Sequence, residues 1–209
     1  MRMLTERLFV FQGHRLLILV ATAILVLLIA SPVLQRLLLQ PQTESFTELW
    51  LLDRGHLAEG FPHDITRGVS YNLYLGIKNQ LGHIAHYEVL VKFRSSAQQG
   101  LDSLNYEWNS LPPLYSVDAI VADTESWELP VTFSFDYSYE GIANISEIKF
   151  SRLVFNDATL NLTGYSSLWD SEKSEFFGDL IFELWIYDEA VGEFVYSSRF
   201  VDLKLNMLI

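Results

Sequence analysis

Cysteine is absent from all 209 residues, so neither disulfides nor thiolate metal sites can hold this chain together. Any stable fold must come from its core. Positive charge is scarce as well, with 14 Lys and Arg against 26 Asp and Glu. Residues 1–42 hold four Arg and one Glu, which leaves ten basic and 25 acidic residues beyond them, about −15. Such a balance disfavours binding of that part to nucleic acid or to anionic headgroups. No Gly-x-Ser-x-Gly elbow, phosphate-binding loop or dinucleotide fingerprint occurs, so the usual nucleophilic and cofactor sites lack support. We expect no catalytic residue and no cofactor.

What the chain does have is a long apolar run, Leu16 to Leu34, interrupted only by Thr22, Ser31 and Pro32. As a helix this run would cover roughly 28 Å, close to the hydrocarbon thickness of a bilayer. A cleaved signal peptide usually has a shorter apolar region ending in small residues. Here the best cut, after Ala30, puts Leu28 where a small side chain is needed. Arg2, Arg7 and Arg15 precede the run and only Arg36 lies close behind it, which keeps the N-terminus in the cytoplasm. The expected organisation is a cytoplasmic basic leader over 1–15, a transmembrane anchor helix over 16–39, a linker over 40–45 and an extracytoplasmic domain over 46–209. The protein is then a single-pass protein of the cell membrane.

Beyond the linker the pattern is that of strands. Phe46 to Asp53 reads as the first. Tyr71, Leu73, Leu75 and Ile77 then alternate with polar or small residues, and Tyr87, Val89, Val91 and Phe93 alternate likewise, which predicts a hairpin turning over 79–82. Residues 95–113 form a long loop and Tyr115 to Val121 a further strand. The clearest alternation is Val131, Phe133, Phe135, Tyr137 and Tyr139 against Thr132, Ser134, Asp136 and Ser138, a strand with one buried face. Strands over 148–155 and 159–163 follow around an Asn156-Asp157 turn. A long hairpin, 180–187 with 194–205, completes the chain. About eight strands and no second helix predict a mainly β protein, an antiparallel β-sandwich of two sheets behind one N-terminal transmembrane helix.

Certain residues carry a family resemblance. Phe46, Thr47, Glu48, Trp50 and Leu52 are followed by Ala58, Glu59, Phe61 and Pro62, then by Gly76, Ile77 and Asn79, then by Tyr87 and Val89. With the closing hairpin from Phe182 to Asn206, this order resembles the extracytoplasmic domain of the archaeal DUF1616 membrane proteins, across roughly residues 43–206. The resemblance implies an immunoglobulin-like sandwich outside an archaeal cell membrane and implies no activity. Many members carry several spans ahead of this domain, where this chain shows one.

His56, His63, His83 and His86 are the residues that would tempt a metal-site reading. His83 and His86 lie three apart in an expected strand, which sends them to opposite faces, so no metal site is assigned. Asp123, Glu125 and Glu128, and then Asp170, Glu172, Glu175 and Asp179, form acidic clusters without calcium-loop spacing. Trp50 and Trp185 fall within strands and read as core, whereas Trp108 and Trp127 fall in the irregular centre and are the candidate binding surface. The sequons at Asn144 and Asn161 are candidate glycosylation sites on an external domain.

Three function classes follow. The leading one is a non-catalytic binding or accessory module of an envelope or membrane complex, its partners the bilayer and other membrane or cell-surface proteins. The second is a carbohydrate-binding surface module that takes glycans on exposed tryptophans. The third is a membrane-tethered hydrolase using an acidic pair.

Overall fold

A computed structural model describes residues 18–22, 24–26, 45–98, 111–139 and 146–209. The chain divides into two compact units, Met1–Glu44 and Ser45–Ile209. In the first, the described residues are helical, and Ile18, Leu19, Val20, Ile24, Leu25 and Val26 are all exposed. Among the described residues no helix is long and apolar enough to cross a membrane. The leader over 1–15, most of the expected anchor and all of the linker except Ser45 lie outside the described residues.

The second unit is built of strands: β1 (Phe46–Leu52), β2 (Asp64–Ile65), β3 (Tyr71–Gln80), β4 (Ala85–Ser95), β5 (Tyr115–Val121), β6 (Ser126–Tyr139), β7 (Glu147–Phe155), β8 (Ala158–Asn161), β9 (Ser166–Asp170), β10 (Glu175–Asp188) and β11 (Glu193–Met207). They join in one curled sheet with two limbs. The first limb runs β1-β3-β6-β7, with β8 paired to β7. The second runs β5-β4-β10-β11-β2. Strand β9 pairs with both β7 and β10 and so joins the limbs. Every pairing is antiparallel except the short contact of β11 with β2.

The expected alternation decides which side of each strand is buried. Val131, Phe133, Phe135 and Tyr137 point inward on β6, while Tyr139 at the strand end is exposed. From the opposing limb come Tyr87, Val89, Val91 and Phe93 of β4 and Leu180, Phe182 and Leu184 of β10, all buried. Rings meet across the gap: Phe93 lies 5.1 Å from Phe135 and 4.9 Å from Phe150, and Phe155 lies 6.2 Å from Phe182. Thr47 of β1 and Tyr87 of β4 share a hydrogen bond of 3.0 Å across the same interior. The curl is completed by Tyr137, whose buried hydroxyl donates to the carbonyls of Ile65 at 2.8 Å and Leu208 at 2.6 Å. Burial pushes this phenol up to about 12. It therefore stays protonated as a donor.

Two expectations are corrected. Among the described residues there are eleven strands rather than about eight, because β2 and β9 are too short or too polar to show a period. More importantly, β3 and β4 do not form a hairpin: β3 pairs with β1 and β6, whereas β4 pairs with β5 and β10. Alternation fixes a strand's buried face but not its neighbour. The crossing is held by Asn79, fully buried, whose amide donates to the carbonyls of His83 at 2.7 Å and Val121 at 2.9 Å. Its side-chain oxygen accepts the N–H of Leu81 at 3.0 Å, and Gly82 follows with φ of 83°. A buried amide satisfied in this way redirects the chain from one limb to the other. The β7–β8 turn and the β10–β11 hairpin form as expected.

Candidate functional site

A groove of about 660 Å³ lies at one end of the β5-β4-β10-β11 limb. Its walls are the β3–β4 crossing, the last turn of β5 and the β10–β11 turn. Ile84 and Ile120 rise from two of these walls and are 63% and 67% exposed. Tyr187 and His86 line the groove as well. The His86 imidazole lies edge-on to Phe194 at 4.9 Å and 6.2 Å from Tyr187, and Tyr187 meets Phe194 at 5.5 Å. Nε2 of His86 sits 3.1 Å from Asp118 Oδ1, so the ring is held from both sides. Asp188 and Glu189 also line the groove, and Asp188 accepts the N–H of Ala190 at 2.8 Å, which shapes the turn. Among the described residues no Lys or Arg lines this groove.

The chain enters the unit at this same end. Phe46, the first residue of β1, pairs with Gln80, the last of β3, and Leu81 and Ile84 in the link that follows β3 line the groove. Sequence reasoning missed the groove because its walls come from three separated stretches, each unremarkable by itself. Only the crossing at Asn79 brings them together.

A second feature lies on the outward face of β4 and β10, the side that alternation assigns to solvent. Lys92 Nζ is 2.7 Å from Glu183 Oε2, with both side chains almost wholly buried. Arg94 pairs with Asp179, its register partner. The Trp185 indole N–H donates to Glu183 Oε2 at 3.3 Å, and the Arg94 guanidinium lies 5.3 Å from the Phe177 ring. Asp179 Oδ1 and Glu183 Oε1 have no hydrogen-bond partner among the described residues. Burial pushes the Asp179 carboxyl up from its ordinary range, against the opposing pull of Arg94. The sequence signal was present, since Lys92 and Arg94 share one face of β4 and Asp179 and Glu183 one face of β10. What it does not carry is that this face is covered.

The sequence candidates are scattered over the unit. Trp127 is the second residue of β6, opposite Ile77, and packs half-buried against the core rather than in an irregular stretch. Trp108 and Asn144 lie outside the described residues. Asn161 ends β8 exposed, and its side-chain oxygen accepts the N–H of Thr163 at 2.9 Å. Trp50, expected in the core, lies on the outward face of β1. His56 stacks on Tyr74 at 3.9 Å and sits 3.5 Å from Glu128, while His63 lies 3.8 Å from Glu175. Among the described residues no group of three or more His, Asp or Glu is placed to hold a metal ion. The acids of the second cluster separate: Asp170 caps its own turn through the N–H of Glu172 at 2.9 Å, and Asp179 is committed to Arg94.

No protein-family model and no curated protein sequence matches the chain. Among solved structures it is similar to the β-glucosidase of Listeria innocua in complex with glucose, at TM-score 0.36, and in complex with gluconolactone, at TM-score 0.34, each with 9% identity. The match covers 78% of this chain and 16% of those chains, so this chain spans about a sixth of that enzyme's length. A likeness at this level carries no argument about fold or activity.

Proposed function

We propose that this chain is a membrane-tethered extracytoplasmic binding module, an immunoglobulin-like sandwich that serves as a non-catalytic accessory subunit of an envelope or membrane complex. In this reading it is a relative of the DUF1616 proteins, anchored by the apolar run with its N-terminus in the cytoplasm. The observation that carries the binding role is the groove, which exposed Ile84 and Ile120 line together with Tyr187 and His86. Convergent exposed aliphatic side chains on a rigid frame are the usual mark of an interaction surface. The anchor rests on the apolar run and on the exposure of Ile18, Leu19, Val20, Ile24, Leu25 and Val26, since a helix apolar all round belongs in lipid or in a core.

Two measurements test this reading. Protease added to cells with an opened wall should trim residues 43–209 and leave the leader protected; protection of the whole chain refutes the topology. A photoreactive residue in place of Ile120 should crosslink a defined membrane protein, and the same residue in place of exposed Asp157, in the β7–β8 turn, should not. Equal adducts from both positions would remove the groove from the account.

A further inference from the structure

We propose that the groove receives a cationic, aliphatic-bearing segment of a partner protein. This inference rests on the binding-module reading and adds the chemistry of the partner.

The groove lies at the end of the domain where β1 begins, for Phe46 pairs with Gln80 and Leu81, the next residue, lines the groove.

Charge decides what the occupant carries. Asp188 and Glu189 line the groove, and no Lys or Arg does so among the described residues. Acids beside exposed aliphatics attract Lys- or Arg-bearing segments and repel anionic headgroups. Ile84 and Ile120, exposed in the same groove, meet the aliphatic side chains of such a segment while its cations meet the acids.

The test uses the full chain in lipid nanodiscs and fluorescence anisotropy of a short labelled peptide of alternating Leu and Lys. Companion peptides carry Gln or Glu in place of every Lys. The Lys peptide should bind saturably, with affinity falling about tenfold on replacing Lys by Gln and further with Glu. Ile120→Ser and the pair Asp188→Asn with Glu189→Gln should each weaken it several-fold. The control pair Glu147→Gln with Asp157→Asn should not. Equal losses in control and groove variants would mean diffuse attraction to an acidic protein, and would overturn the proposal. So would equal binding of the Lys and Gln peptides, or displacement of the bound peptide by anionic vesicles that themselves dock through Ile120. A protein adduct at Ile120 together with a flat charge series would discard the cationic partner and leave the binding module standing.

Discussion

The indole of Trp50 lies across Gly76, its register partner on β3, so closely that a Cβ on the glycine would clash with the ring atoms. An aromatic ring covering a bare strand glycine shields that stretch of backbone and pins the pairing of β1 with β3. Gly76→Ala should therefore destabilise the domain by about 1–3 kcal/mol, by overpacking. Trp50→Ala combined with Gly76→Ala should cost less than the sum of the single changes, measured by urea unfolding. Simple additivity would mean that the two residues do not touch.

The Lys92–Glu183 pair makes a different prediction. Both side chains are almost wholly buried, so Lys92→Met leaves Glu183 with an uncompensated charge and should cost about 3–5 kcal/mol. Replacing both, Lys92→Met with Glu183→Leu, should recover most of that loss. A single change below about 1 kcal/mol would show that water reaches Glu183.

For Asp179 the prediction is one of slope. Burial raises its folded pKa above the ordinary 3.8, outweighing the opposing effect of Arg94. Its contribution to stability is thus fully present below 3.8 and is lost as pH rises through the raised folded value. The stability of wild type relative to Asp179→Asn should fall as pH climbs above about 4 and then level off. Parallel stability profiles over that range would contradict a raised value.

At Asn161 the prediction concerns mass. The asparagine is exposed, and its turn with Thr163 holds the sequon open to an enzyme. If the domain faces outward, the protein purified from its own membrane should lose one glycan increment on Asn161→Gln. An unchanged mass would leave this sequon unused.

Much of the frame was legible because it depends on short-range chemistry. The inward set Val131, Phe133, Phe135 and Tyr137 follows from period two alone, and the β10–β11 hairpin from two such runs around Asp188 to Gly192. Partnership between strands was not legible. Tyr71 to Ile77 and Tyr87 to Phe93 look alike to any rule of alternation, and only the buried amide of Asn79 sends them to different limbs. The groove was hidden for the same reason, since Ile84, Ile120 and Tyr187 meet only after that crossing. Covered charges mislead in the opposite direction: Lys92 and Glu183 sit on a face whose polarity reads as solvent.

The crossing at Asn79 also governs when this protein can fold. Neither limb is continuous in sequence, for β1 and β3 wait on β6, and β4 waits on β10. The last closure joins Asp64 to Asn206, through the strand register and a side-chain bond of 2.9 Å. Loop-closure entropy for such distant pairings must be met before they reward the chain, so folding should be slow and set by the C-terminal strand. The first limb has all its strands by Asn161, but the second waits for β10 and β11, so a chain still being synthesised cannot close the curl until its final strand arrives.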